Sequence, residues 1–252
     1  MEQKLPRAFD IIGDIACVEI KEGMDEKKTA ENILKNQKSI KIVAKKIGIT
    51  EGIERIQKVE VISGENRTET IHKENGIILK LDINKVFFTP RLSGERLRIL
   101  KQVKKNEIVA DLFAGVGPCS ILIAKKSKCR KVIANDINKT AVLYLKENAK
   151  LNKVLDKMEI TCLDAKKLNV KADRLIMNIP MFSMDFIDLA FRVVEKGIIH
   201  FYYFEGEKDR QKFEIIRESA KKLGKKIRIQ KKVKCGSYAP GVHRMCADIK
   251  VY

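Results

Sequence analysis

Three aspartates stand where apolar, strand-like runs end, and their spacing suits a ligand with hydroxyl groups and positive charge. Asp111 precedes the glycines Gly115 and Gly117 in DLFAGVG, while Asp136 and Asp164 close the next two runs in ANDIN and CLDA. Carboxylates accept hydrogen bonds from ribose hydroxyls, and an acid about 20 residues beyond a glycine turn is well placed to do so. Each aspartate alone is more often a cap or a turn residue, and it is the three together beside the glycine turn that indicate a ligand site.

The glycine turn indicates which nucleotide-like ligand fits. Gly115 and Gly117 permit a tight turn and a close backbone approach, but a dinucleotide fingerprint wants a third glycine where this chain has Ser120. Pro118 is tolerated in the first helical turn but fills space there. Three acids would repel a pyrophosphate and would attract a cationic sulfur and an ammonium group. The sequence therefore predicts a site for S-adenosylmethionine.

A second motif follows the fourth of these apolar runs. Asn178-Ile179-Pro180 is typical of sites that methylate ring or exocyclic nitrogens. An asparagine amide both donates to and accepts from the edge of a planar base, and the proline stiffens the loop. An ordinary strand-ending turn is the alternative.

Alternating strands and helices must position these residues. Apolar runs alternate with helical segments from EIVADLF onward, which predicts a doubly wound, mostly parallel sheet of the α/β class with an antiparallel hairpin at its C-terminal edge. Helices are predicted at 93–103, 118–126, 139–151, 184–195 and 208–223. The aromatic run HFYYF, at 200–204, is predicted to be a core strand.

The first 83 residues predict a small α+β domain, so the chain divides into 1–83 and 84–252. A strand with a turn or bulge at Gly13-Asp14 is predicted over 8–20, and helical spacing is predicted over 24–47. VEVIS, ETIHKE and GIILKLDI predict hairpin strands, with turn residues at 64–66 and 75–76.

Charge predicts the kind of partner. Lys and Arg number 52 against 33 Asp and Glu, a net charge of +19, which attracts polyanions such as nucleic acid. The basic runs at 125–131 and 221–234 are candidate phosphate contacts or solvated faces.

Six dispersed cysteines and three histidines predict reduced thiols and no metal site. No signal layout or membrane-length apolar run occurs, so a soluble cytoplasmic protein is expected.

Several segments resemble known enzymes. DLFAGVGP, ANDIN and CLDA are similar to the Rossmann-like, S-adenosylmethionine-dependent class I methyltransferases. FFTPRLSGERLRI, GIERIQKVEVISGENRTETIHKENG and SYAPGVHRMCADIKV resemble the archaeal and eukaryotic tRNA (guanine-37-N1) methyltransferases, from about Phe9 to the C-terminus. The resemblance implies methyl transfer to N1 of guanosine 37 in tRNA by a monomer.

The resemblance also implies residue roles. Glu95 matches the suspected base that removes the N1 proton, Arg55 a cation that stabilises the charge on O6, and Asn178 the residue that orients guanine. From the residues alone, Glu95 is equally a surface residue paired with Arg98 or Arg91, and Arg55 a solvated strand residue. The implied cofactor-binding residues are Arg91, Asp111, Phe113, Gly115, Gly117, Asp136, Ile137, Asp164, Ala165 and Asn178.

Some features depart from that family. The chain begins where the second domain of many archaeal members begins, so the form without the additional N-terminal domain is expected. The small domain at 1–83 is then expected to interact with RNA and, with the basic surface, to select the tRNA. Met181 follows the N-x-P motif where lysine is frequent. A more apolar pocket suits a wyosine precursor, so C7-methylation of that base is the alternative activity. Aminocarboxypropyl transfer in wyosine synthesis is a further rival that Arg91 and Asn178 argue against. A non-catalytic RNA-binding protein is the third alternative to the implied guanine methylation.

Overall fold

The computed structural model describes residues 9–48, 56–206, 209–239 and 241–252. Its strands are β1 (Asp10–Ile12), β2 (Ile15–Val18), β3 (Ile42–Lys46), β4 (Val59–Gly64), β5 (Glu69–Glu74), β6 (Ile77–Asp82), β7 (Ile108–Asp111), β8 (Lys131–Asn135), β9 (Met158–Thr161), β10 (Arg174–Met177), β11 (Gly197–Phe204), β12 (Ile227–Ala239) and β13 (Val242–Val251). Its α-helices are α1 (Glu26–Asn36), α2 (Ser93–Leu100), α3 (Pro118–Lys126), α4 (Lys139–Leu151), α5 (Ile187–Val193) and α6 (Asp209–Lys222).

The N-terminal sheet has the strand order β1-β2-β3-β4, with α1 as the crossover between the parallel strands β2 and β3. The turn at Gly13 joins β1 to β2, as predicted. The helix predicted over 24–47 was wrong in its second half. Asp25 caps α1 at its start, the helix ends at Asn36, and β3 follows. The apolar run from Ile42 to Ala44 is fully buried, which masks the alternation that would have identified a strand.

The β5–β6 hairpin packs on the larger domain through Asn148 of α4 and Asn152, the residue that follows α4. Asn148 accepts a hydrogen bond from the Lys80 amide at 2.7 Å and donates to the Lys80 carbonyl at 2.9 Å. Asn152, one turn later, makes the same pair of bonds to Ile78. The two amides therefore satisfy the edge of β6, which would otherwise be left unpaired. Its turn has positive φ at both Asn75 and Gly76, the geometry that an Asn-Gly hairpin favours.

A seven-stranded sheet organises the C-terminal part of the chain, in the order β12-β13-β11-β10-β7-β8-β9. β7 to β11 pair in parallel, and β13 pairs antiparallel to both β11 and β12. The predicted doubly wound sheet with its C-terminal hairpin is confirmed. The strand order reverses between β7 and β10, which is where such sheets bind ligands beyond the carboxyl ends of their strands.

Two apolar clusters cover the two faces of this sheet. One includes residues of α3, α4 and the β5–β6 hairpin and continues into the N-terminal sheet, and the other includes residues of α5 and α6. Tyr202 and Tyr203 are 3% and 2% exposed, so the predicted core strand is confirmed. Among the described helices, none is long and apolar enough to cross a membrane.

Candidate functional site

A cavity of about 410 Å³, the strand-tip cavity, lies at the carboxyl ends of β7, β8, β9 and β10. This volume is within the range of about 300–1,000 Å³ that small-molecule sites occupy. Seven of the predicted cofactor-binding residues line it: Phe113, Gly115, Asp136, Ile137, Asp164, Ala165 and Asn178. The parallel strands thus bring together residues that are distant in sequence.

Asp136, directly after β8, is fixed by two backbone amides. Its Oδ2 atom accepts from the Gly115 amide at 2.7 Å and its Oδ1 atom from the Asn138 amide at 2.9 Å. These two bonds orient both oxygens of the Asp136 carboxylate, which has about four acceptor positions in all. Asp164 is similar, because its Oδ1 accepts from the Lys166 amide at 2.9 Å and caps a short 3₁₀ turn.

Asn178 follows β10 and also lines the cavity. Its Oδ1 atom is buried and has no hydrogen-bond partner among the described residues. Buried polar atoms are nearly always paired, and an orphaned acceptor of this kind costs about 1–3 kcal/mol. An orphaned acceptor on a cavity wall marks a place where a ligand donor belongs.

Aromatic side chains form the apolar wall of this cavity. The rings of Phe113 and Phe186 meet edge to face with centroids 4.9 Å apart, and the Lys166 ammonium lies 5.3 Å from the Phe186 centroid. Several residues that line the cavity were not predicted from the sequence: Phe87, Asn138, Leu163, Lys166, Phe182, Asp185, Phe186 and Arg244. Their signal was weak because most of them stand on loops rather than in a spaced motif.

Two predicted cofactor residues are placed beneath this wall instead of on it. Asp111 is buried and its Oδ2 accepts from the Ser120 hydroxyl at 2.7 Å, so its carboxyl group faces α3. Burial raises the pKa of Asp111 to about 6, and the charge of Asp136 adds to this, while the Ser120 bond opposes it. Gly117 has φ +89°, and a Cβ there would lie 2.3 Å from Leu145 Cδ1. It serves helix packing.

Arg91 lines a different cavity, of about 300 Å³, between the N-terminal sheet and the larger domain. Its Nε donates to Asp10 at 2.6 Å and its side chain is 61% exposed, so it is an interdomain ion pair in this structure. The two cavities share Phe87 and Arg244 on their walls. Arg55, the other predicted cation, lies outside the described residues.

Glu95 lines neither cavity. It is 8% exposed in α2, and Arg98 binds both of its oxygens, at 2.7 and 2.9 Å. The Tyr202 hydroxyl donates to its Oε1 at 2.7 Å. The predicted pairing with Arg98 is confirmed, and the predicted surface location is wrong because the side chain points inward to β11.

Comparison with known families decides the relationship. The family model described as "TRM5/TYW2 methyltransferase domain" matches residues 70–231, and that of the "TYW2 N-terminal domain" matches residues 1–68. The chain belongs to the TRM5/TYW2 methyltransferase family. The expected family and the Rossmann-like, S-adenosylmethionine-dependent methyltransferase fold are therefore confirmed.

Curated TRM5/TYW2 relatives fall into two named groups. The tRNA (guanine(37)-N(1))-methyltransferase Trm5b of Pyrococcus abyssi is 44% identical over 252 residues, which cover 98% of this chain and 76% of that protein. The tRNA(Phe) (4-demethylwyosine(37)-C(7)) aminocarboxypropyltransferase of Pyrococcus horikoshii is 33% identical over 255 residues, covering 98% of this chain and 90% of that protein.

Solved TRM5/TYW2 structures share the whole described architecture. The complex of aTrm5 with tRNALeu matches with a TM-score of 0.89 and 37% identity, over 98% of this chain and 73% of that one. The TYW2 of M. jannaschii with AdoMet matches with a TM-score of 0.76 and 31% identity, over 97% of this chain and 99% of that one.

Proposed function

We propose that this protein transfers a methyl group from S-adenosylmethionine to N1 of guanosine 37 in tRNA. One observation carries the proposal: the orphaned, buried Oδ1 of Asn178 on the wall of the strand-tip cavity, in a chain of this family. The P. abyssi relative named for this reaction is 44% identical over 98% of the chain, a higher identity than that of the aminocarboxypropyltransferase.

The donor set of the strand-tip cavity fits S-adenosylmethionine. Asp136 would accept from the ribose hydroxyls, and Asp164 from the adenine edge, with the base held against Phe113, Ile137 and Ala165. S-adenosylmethionine supplies an electrophilic methyl group on a sulfonium centre. These acids and aromatic rings suit a ligand with hydroxyls and positive charge better than they suit a phosphate.

The acceptor base would be held next to this cavity. The neighbouring cavity shares Phe87 and Arg244 with it, so a base held where the two cavities meet lies beside the donor and next to Asn178 of the strand-tip cavity. Asn178 Oδ1 would accept from a guanine N–H and thereby lose its unpaired state. The Asn178 Oδ1 atom would repel a carboxylate, which offers only acceptor oxygens, whereas a base edge with N–H donors is complementary to it.

Methylation at N1 requires loss of the N1 proton. N1 forms its bond to the methyl group as the methyl–sulfur bond breaks, and the proton passes to a base. Glu95 remains our candidate for that base; because it lines neither cavity in this structure, the proposal requires that the bound tRNA brings N1 to it. Arg55 remains the candidate for stabilising the charge that deprotonation leaves on O6. A positioned carboxylate base contributes about 10²–10⁴-fold to such a rate.

The net charge of +19 supports an RNA substrate rather than a free nucleotide, because counterion release favours long polyanions. We further propose that the protein acts as a monomer in the cytoplasm. Light scattering of the protein alone and with one equivalent of tRNA tests the monomer, since a mass above one copy per tRNA contradicts it.

The product identifies the reaction. The protein is incubated with unmodified tRNA and methyl-labelled S-adenosylmethionine, and the nucleosides are separated by mass spectrometry. We expect 1-methylguanosine from position 37. Label in a C7-methylated wyosine precursor would support the alternative methylation, and transfer of the aminocarboxypropyl group would support the rival reaction.

Two controls sharpen this assay. A tRNA with adenosine at position 37 should accept no label, because adenine has neither the N1–H nor the 2-amino group with which guanine can donate to Asn178. Asn178→Ala should lose at least about tenfold in rate, the equivalent of about 1.4 kcal/mol. Asn36→Ala, on an exposed face of α1, should be unchanged. Unmodified guanosine 37 after complete reaction would overturn the proposal.

A further inference from the structure

Arg98 joins two buried carboxylates. Its Nε and Nη2 atoms bind Glu95 at 2.7 and 2.9 Å, while its Nη1 and Nη2 atoms bind Asp248 of β13 at 2.6 and 3.1 Å. The guanidinium is thus bidentate to both acids. Glu95 and Asp248 are 8% and 3% exposed, so solvent screens these charges little. Because one cation serves two anions, neither carboxylate has a full countercharge.

Asp248 is held as an anion by a further chain of bonds. Arg174 donates to His200 Nε2 at 2.8 Å, and because arginine has only donors, the proton of the neutral imidazole is on Nδ1. That Nδ1–H donates to Asp248 Oδ1 at 2.7 Å. Burial lowers the pKa of His200, which keeps the ring neutral. Burial alone would raise the pKa of Asp248, but the bonds from His200 and Arg98 outweigh it and lower the pKa.

His200, Cys246 and Asp248 are close enough together to resemble a metal site. Arg98 contacts both Cys246 and Asp248, and Arg174 contacts His200. Two guanidinium groups beside three buried ligand atoms disfavour a cation. The cluster is therefore an ion-pair network, which ends at Glu107 through a bidentate bond from Arg174.

Tyr202 fixes one oxygen of Glu95. Its hydroxyl donates to Oε1 at 2.7 Å, and Arg98 also binds Oε1, whereas Oε2 receives the Arg98 Nε alone. Burial raises the pKa of Tyr202 well above its ordinary value, so the hydroxyl stays a donor. Since each carboxylate oxygen has about two acceptor positions, Oε2 is the oxygen with capacity for a proton.

We propose that Asp248 and Tyr202 are positioning residues for Glu95: Asp248 shares Arg98 with it and so keeps it able to accept a proton, and Tyr202 directs that proton to Oε2. The proposal rests on the proposed role of Glu95 as the base for N1. An arginine that binds one carboxylate alone favours the ionised form of that carboxylate, which opposes proton transfer to it. The second anion on the same guanidinium weakens that effect.

Within the part of the chain that the structure describes, the other titratable groups that interact electrostatically with Glu95 do not supply this charge. They are thiols: Cys119 of α3, Cys235 of β12 and Cys246 of β13. Burial raises the pKa of each, to about 12 for Cys235 and well above the ordinary value for the other two. All three are therefore neutral near pH 7, so among the described residues Asp248 is the second anion that Arg98 binds.

The test is the pH dependence of single-turnover methylation at saturating tRNA and S-adenosylmethionine. Asp248→Asn leaves Arg98 to Glu95 alone, so the acid limb of the profile should move to lower pH and the plateau rate should fall. Tyr202→Phe removes a donor to the carboxylate, so its acid limb should move to higher pH. We expect each movement to be about half a pH unit or more. If the two side chains had only a structural role, the acid limbs of the two variants would not move in opposite directions.

Controls separate this proposal from the proposed function. Affinity for S-adenosylmethionine should be unchanged in both variants, since neither residue lines the strand-tip cavity. Lys171→Gln, which removes an exposed ion pair with Glu195, should leave the profile unchanged.

If Asp248→Asn does not fold, Tyr202→Phe and Arg98→Lys carry the test, and both should move the acid limb of the profile to higher pH. Unshifted profiles, or shifts of the same sign for Asp248→Asn and Tyr202→Phe, would overturn the proposal. Parental rates in Glu95→Gln would remove Glu95 as the base, while 1-methylguanosine as product would still support the function.

Discussion

The Gly115 amide nitrogen lies 2.7 Å from Oδ2 of Asp136, so the acid predicted to hold ribose also closes the glycine turn. This bond joins the loop after β7 to the residue after β8. The turn and the acid are therefore one unit: a change at Asp136 alters both the acceptor and the backbone that approaches the ligand. Sequence spacing gives each residue separately and does not give this coupling.

Asp136→Ala should weaken binding of S-adenosylmethionine by about 1–3 kcal/mol, because hydroxyl donors and two backbone amides lose their acceptor. Asp136→Asn should lose less, since it keeps one acceptor oxygen. Titration calorimetry measures both, with Asp156→Ala at an exposed turn as the matched control. Parental affinity in Asp136→Ala would remove this residue from the binding site.

Gly117→Ala should lower the free energy of unfolding by about 1–3 kcal/mol. Its φ of +89° is unfavourable for alanine, and the new Cβ would overlap Leu145 and Ile121 at 2.3 and 2.8 Å. Gly94→Ala is the matched control, because no atom lies within 4 Å of its Cβ position and it stands in α2. Urea unfolding should show a loss for the first and none for the second; equal midpoints would contradict the packing role.

Sequence reasoning located the strand-tip residues because they follow strands of a regular sheet. Phe113, Asp136, Asp164 and Asn178 each stand at a strand end, and parallel strands bring those ends to one edge. It also placed α3 and α4 at their observed bounds, since Pro118 and Asn138 mark their starts. The division of the chain at residue 83 stays a prediction.

The direction in which a side chain points could not be predicted from the sequence. Asp111 and Asp136 both follow apolar runs, yet one faces Ser120 in the interior and the other the cavity. The pairing of Arg91 with Asp10, and of Arg98 with Asp248 at the far end of the chain, depends on tertiary contacts that no spacing encodes. The Ile42–Lys46 strand was missed because buried strands lack alternation.

Asp111→Asn should stabilise the ligand-free protein at pH 7.5 by about 2–3 kcal/mol. The folded pKa of Asp111, about 6, exceeds the unfolded value of about 4. Its favourable contribution is therefore complete below about pH 4 and is lost as the pH rises through about 6, where the carboxyl ionises in an apolar site. Asparagine does not ionise.

Urea unfolding at pH 4, 5.5 and 7.5 tests this expectation for Asp111. The difference between variant and parent should grow with pH, whereas Asp156→Asn, at an exposed position, should show no trend. A difference of the same size at pH 4 and pH 7.5 would show that packing rather than ionisation distinguishes the two side chains.

Binding of tRNA should weaken steeply with salt, and the exposed lysines of β12 should supply part of that slope. Lys231 and Lys234 are exposed on this edge strand, whose end at Ser237 and Tyr238 reaches the wall of the cavity between the two domains. Each phosphate contact removed should reduce the slope of log K against log salt by about 1.

The double variant Lys231→Gln/Lys234→Gln is compared with Lys171→Gln/Lys196→Gln, which removes the same charge at the opposite end of the parallel strands. Filter binding at several salt concentrations measures both slopes. Equal slopes for the two double variants would mean that β12 contributes net charge to tRNA binding and no specific contact.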